Sequence, residues 1–175
     1  MFDYTGNSTP TMTTVLSLSS SPSYCVPVCI GDYFIMVRSG YNGIIQYDGT
    51  AWTLTEESKG EENKTGVTLT IGNTVYAVFA GGYYSTAVSK VIYIITYNGT
   101  TKTLYSSVSL NTPRYSAIAT HTKNIDGTNA ILFTGGFSDK EMTTPINSVE
   151  LLTYTLDTNG TPTFKCTLLP DVLVP

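Results

Sequence analysis

Charge is scarce in this chain of 175 residues: 13% of them are Asp, Glu, Lys or Arg, and only Arg38 and Arg114 are arginines. The basic residues are scattered and the formal net charge is -4, so the clustered cationic face that nucleic acid requires is missing and nucleic acid is excluded as a partner. Histidine is reduced to His121, and there is no Cys-x-x-Cys pair. That leaves too few ligands for a zinc site, and neither metal nor cofactor is expected. The three cysteines do not form a disulfide framework. Cys25 and Cys29 stand four apart in a strand-like stretch, about 13 Å by strand rise, beyond bridging distance. Cys166 could pair with one of them only by leaving the other free, and small buried hydrophobes are the expectation for all three. No apolar run approaches the roughly 18 residues of a membrane helix, so membrane insertion is not expected. Met1-Phe2-Asp3-Tyr4 lacks the basic and apolar regions of a signal peptide.

What is abundant is tyrosine, glycine, threonine, serine and asparagine, with 13 Tyr and 15 Gly. This is a composition of strands and turns. The fullest unit begins at Thr112-Pro113-Arg114 and continues into the apolar run Tyr115 to His121. A turn at Asn124 to Gly127 leads into Ala130-Ile131-Leu132-Phe133-Thr134, which closes on Gly135-Gly136. The run Asn147 to Tyr154, a turn at Asp157-Thr158-Asn159-Gly160 and the run Phe164 to Leu169 complete four strands.

Two less complete copies precede it. Ile30-Gly31-Asp32-Tyr33 and Ile71-Gly72-Asn73-Thr74 each open an apolar run that ends on glycine followed by an aromatic, at Ser39-Gly40-Tyr41 and at Gly81-Gly82-Tyr83. Their second halves repeat too, as Tyr47-Asp48-Gly49-Thr50 and Tyr97-Asn98-Gly99-Thr100. Asp-Gly and Asn-Gly between strand-like runs are strong hairpin signals, because both residues tolerate positive φ. The glycines Gly40, Gly82 and Gly136 recur about 40 to 55 residues apart, the length of a four-stranded repeat. In each copy the second strand is apolar on both faces, as expected of sheets packed face to face.

Pro113-Arg114, Gly135-Gly136, Val149, Tyr154 and Phe164 stand in an order that resembles one blade of a kelch-type β-propeller. The second copy keeps Gly81-Gly82 and Tyr97 but has no preceding Pro-Arg; the first has Ser39-Gly40 with Tyr47 and Trp52. The resemblance implies an all-β fold, a kelch-like β-propeller segment of four-stranded antiparallel blades. Its expected parts are a half blade at 1-20 and blades at about 24-57, 66-110 and 113-170. About three and a half blades are fewer than the four to eight of a closed ring. The remainder of a propeller, or another copy of the chain, is therefore an expected partner.

Kelch-like proteins are mostly binding scaffolds, so the resemblance implies a non-enzymatic interaction or structural module with protein or glycan partners. The Tyr/Thr/Asn/Gly surface resembles that of phage tail or cell-surface proteins. The alternative is a propeller domain of a carbohydrate-active enzyme whose catalytic residues lie outside this chain. Two arginines cannot supply the arginine triad of sialidase-like propellers, and one histidine cannot supply the pair that kelch-type copper oxidases need. His121 reads as structural, and no catalytic residue is expected.

Tyr41, Tyr83, Tyr84 and Phe137, just after the glycine turns, would crowd one rim, and with Arg114 they are the candidate binding residues. Four sequons, at Asn7, Asn63, Asn98 and Asn159, fall in expected loops and are compatible with an extracellular, cell-surface or virion location. The charged segment Glu56 to Lys64 reads as a solvated linker. Ile35, Val37, Trp52, Val78, Ile118, Ile131, Leu132, Phe133, Val149 and Leu151 are the expected core, and β-alternation sets Val149, Leu151 and Thr153 against Glu150, Leu152 and Tyr154.

Overall fold

A computed structural model describes residues 2–3, 11–12, 26–31, 33–38, 41–47, 51–58, 64–84, 87–105 and 108–170. These residues form antiparallel β-structure, with no helix among them. A short ladder joins Phe2–Asp3 (β1) to Thr11–Met12 (β2). The first four-stranded sheet holds Val26–Ile30 (β3), Tyr33–Arg38 (β4), Tyr41–Tyr47 (β5) and Trp52–Ser58 (β6). In the second, Thr65–Ile71 (β7) and Thr74–Ala80 (β8) are followed by the small pair Tyr83–Tyr84 (β9) and Ala87–Val88 (β10). Ile92–Tyr97 (β11) and Lys102–Tyr105 (β12) then complete it. The third contains Ile118–Lys123 (β13), Asn129–Thr134 (β14), Val149–Leu156 (β15) and Pro162–Leu168 (β16). Apart from the β9 and β10 insertion, each is a simple meander in which consecutive strands pair.

Local sequence explains the turns. The pairs Ile30↔Tyr33 and Ile71↔Thr74 close two-residue hairpins, and Gly31 and Gly72 each take φ 57° there. That left-handed geometry is the one a tight primed turn demands, and glycine adopts it without steric cost.

The second sheet is covered on both faces, which accounts for the unbroken apolar run of β8. Ala77 and Phe79 pack with Ile95 against Val28, Ile30 and Ile35 of the first sheet. Tyr76, Val78 and Ala80 pack with Ile92 and Ile94 against Ile131, Phe133, Leu152 and Phe164 of the third. Alternate residues of one strand thus serve two different interfaces. The first and second sheets approach closely at β7, where a Cβ on Gly66 would stand 2.8 Å from Val28 and 2.9 Å from Val26.

Within the expected core, Ile35, Val78, Ile131, Phe133 and Val149 are buried. Leu132 and Leu151 are half-buried. The side chains of Val37 and Trp52 lie outside the described residues. Ile118 is a correction, being 64% exposed. It pairs with Thr134 and shares the face of Leu132, whereas Phe133 and Ile131 point the other way, into the second sheet. For the same reason Glu150 and Leu152, and not Leu151, are the wholly buried residues of β15. The linker reading of Glu56 to Lys64 is corrected at both ends: Glu56 to Ser58 belong to β6, and Lys64 is buried.

Candidate functional site

Strands β8 and β14 both end on a glycine pair in left-handed backbone, with φ of 68° and 97° at Gly81 and Gly82 and of 62° and 87° at Gly135 and Gly136. These pairs make room for the connector that enters the third sheet. The Gly82 N–H donates to the Arg114 carbonyl at 2.7 Å, and the Arg114 N–H donates to the Ser89 carbonyl at 3.0 Å. A Cβ on Gly81 would collide with that Arg114 carbonyl, and one on Gly136 would stand 2.7 Å from the Tyr115 carbonyl. Tyr115 and Phe137 exchange backbone hydrogen bonds of 2.9 Å in each direction.

The connector carries Arg114 inward, where its side chain has no exposed surface. Nη1 donates to the Gly135 carbonyl at 2.9 Å and Nη2 to Ser148 Oγ at 2.8 Å. Nε and Nη2 both reach Glu150 Oε1, at 3.3 and 3.1 Å. The equally buried Glu150 also accepts from the Asn111 N–H at 2.6 Å, the Asn111 amide at 2.9 Å and the Thr112 N–H at 3.0 Å. Burial pushes the Glu150 carboxyl upward, but these donors and Arg114 outweigh it and hold it below the usual glutamate range. Beside it, burial and then the Glu150 charge push the Cys166 thiol up to about 12. A thiol so protonated is a poor nucleophile.

The second sheet carries a counterpart that the sequence repeats do not reveal. Lys64 Nζ donates to the Gly81 carbonyl at 2.8 Å and lies 4.5 Å from the centre of the Tyr93 ring. Tyr93 pairs with Phe79 as Glu150 pairs with Phe133. Lys64 therefore occupies the place of Arg114, and Tyr93 that of Glu150.

Beyond the glycine pairs, a cleft of about 540 Å³ opens on the same rim, between the β9–β10 insertion and the loop after β14. Tyr83, Ala87 and Val88 line one wall and Ser138, Asp139, Lys140 and Glu141 the other. The half-buried Tyr83 ring meets Tyr115 edge to face at 6.1 Å, and Lys140 Nζ stands 5.2 Å from its centre. Asp139 pins the second wall by accepting from the Thr143 and Thr144 N–H groups at 2.9 and 2.7 Å. The Thr143 donor, first among these, holds the Asp139 carboxyl below its ordinary value.

Of the candidate binding residues, Tyr83 and Phe137 stand on this rim, each half-buried. The side chains of Tyr41 and Tyr84 lie outside the described residues. Arg114 is a correction: it has no surface to offer a ligand, and its donors are engaged internally. His121 is exposed on β13. The pairing of Glu150 with Arg114, and the parts of Asn111 and Ser148 in the network, are not evident from the sequence repeats. A lone carboxylate in the otherwise apolar opening of β15 was the available signal, since a buried carboxylate needs a cation and the chain has few. No family model and no curated protein matches this chain.

Proposed function

We propose that the chain is a kelch-like β-propeller segment that works as a non-enzymatic interaction or structural module, taking glycan or protein partners at the rim between the second and third sheets. The observation that carries this reading is the cleft beside Tyr83, which sets an aromatic face, the small apolar pair Ala87 and Val88, and polar loop residues around one opening. Aromatic rings with a polar surround suit sugar faces and protein side chains alike. The buried Arg114 and Glu150 and the half-buried Cys166 are engaged with one another, which favours a scaffold over a catalyst. The exposed Ile118 face of the third sheet is where a further sheet would pack, from the remainder of a propeller or from another copy. A phage tail or cell-surface assembly is the setting this proposal favours.

A glycan array and a panel of glycosidase substrates, run on one preparation, test the reading. Binding to an array member, weakened about tenfold by Tyr83→Ala through loss of the stacking surface, is the expected result. Turnover of any panel substrate that His121→Ala abolishes would refute the non-enzymatic assignment.

A further inference from the structure

Two hairpins of adjacent sheets carry the same tripeptide, Asn98-Gly99-Thr100 between β11 and β12 and Asn159-Gly160-Thr161 between β15 and β16. Both asparagines are exposed, yet their surroundings differ. Asn98 is the first residue of its turn, and its own side-chain oxygen Oδ1 accepts the N–H groups of Thr100 at 3.0 Å and Thr101 at 2.7 Å. In the other turn that capping role falls to Asp157, whose carboxylate accepts from the N–H groups of Asn159 and Thr161, both at 2.8 Å. The Gly160 N–H is also engaged there, donating to the Asp157 carbonyl at 3.0 Å. Among the described residues no hydrogen bond engages the Gly99 N–H.

We propose that Asn98 is a site of spontaneous deamidation built into the β11–β12 turn. After loss of its proton to solvent base, the Gly99 nitrogen attacks the Asn98 side-chain carbon and a carbon–nitrogen bond forms. The electron pair of the carbonyl moves onto Oδ1, where the Thr100 and Thr101 N–H groups already point. Two donors aimed at an oxygen that becomes negative stabilise the transition state as an oxyanion hole does. The bond to the side-chain nitrogen then breaks, and ammonia leaves with a proton from water. The resulting succinimide takes up one water, opening to aspartate or, by the other carbonyl, to isoaspartate. No oxidant, metal or enzyme is required. Glycine at position 99 takes φ 92°, a backbone setting that other residues resist, and its lack of a Cβ leaves room for the Tyr33 hydroxyl, which would stand 2.5 Å from one. The reaction adds a negative charge to the turn and removes the acceptor of one sequon.

Because both asparagines precede Gly-Thr, the unfolded chain is the internal reference. The chain is incubated folded and, in parallel, in concentrated urea at the same mildly alkaline pH. Peptide mapping by mass spectrometry then follows conversion of Asn98 and Asn159 separately. In urea the two rates should be comparable. In the folded chain Asn98 should react about tenfold faster than Asn159, less than an enclosed oxyanion donor supplies because this turn is open to water. A ratio of Asn98 to Asn159 no greater in the folded chain than in urea would overturn the proposal.

Discussion

In the second sheet a lysine reaches the first glycine carbonyl after the second strand and rests on a tyrosine ring; in the third an arginine reaches the same carbonyl and pairs with a glutamate. In both sheets one long cationic side chain meets that carbonyl. The residue opposite the phenylalanine of the second strand faces that cation, Tyr93 in one case and Glu150 in the other. An aromatic face is a soft counterpart, since it presents only a quadrupole and leaves the lysine tolerant of small shifts. A buried carboxylate is a demanding one, because each partner stranded alone bears an unpaired charge in a dry interior. The third sheet is consequently the more tightly specified of the two, with Asn111, Thr112 and Ser148 all committed to the same network.

The strongest way to break the parallel is to remove the counterpart. Glu150→Ala should destabilise the chain by about 3–5 kcal/mol, because it leaves the buried Arg114 charge with only the neutral acceptors Gly135 and Ser148 and no counter-charge. Lys64→Met, which keeps the stem and leaves the Gly81 carbonyl unsatisfied, should cost only about 1–3 kcal/mol. Urea midpoints with unchanged slopes measure both, and equal losses would dissolve the distinction drawn between the two sheets.

The glycine pairs offer a second, smaller contrast. Gly81→Ala should cost more than the about 1–2 kcal/mol that left-handed backbone imposes on any residue with a Cβ, since that Cβ would also strike the Arg114 carbonyl. Gly135→Ala meets open space and should cost the backbone share alone. A Gly135→Ala loss as large as that of Gly81→Ala would show that the connector moves aside freely.

The mildest contrast is with pH. A carboxyl held below its unfolded value binds its proton less readily when folded, so unfolding takes up a proton and stability falls with acid. The contribution of Glu150 should be fully present above the ordinary glutamate value of about 4.3 and disappear as pH falls through its lowered folded value. Asp126 and Asp139, also lowered, act in the same sense from the surface. Glu150→Gln separates them: its urea midpoint against pH should lose part of the acid slope, and the slope that stays belongs to the surface aspartates.

Much of the architecture was legible in the residues themselves. Gly72-Asn73 and Asn98-Gly99 mark hairpins because their chemistry is local. Gly81 and Gly136, one of each glycine pair, mark close passage because a Cβ there would run into a carbonyl oxygen. Arg114 faces inward and not toward a ligand, since a sequence shows that a cation is present and not which way it faces. Lys64 was hidden for a different reason: it adjoins β7 directly, whereas Arg114 stands several residues ahead of β13, so alignment by position never brings the two together. Ile118 and Leu152 were exchanged between surface and core because alternation yields two faces without saying which one meets a neighbour. That choice is made by the third dimension, through Phe133 and Ile131.

Gly66 has a mechanical meaning. Where β7 passes Val26 and Val28 the spacer between the first two sheets is a hydrogen atom, while farther out the rings of Tyr33 and Tyr97 stand edge to face at 4.7 Å in the same gap. The first two sheets are thus spaced by a hydrogen atom at one margin and by two aromatic rings at the other, as the leaves of a part-open book are. The set of one sheet against the next is here a matter of side-chain volume, written at one position as the absence of a methyl group.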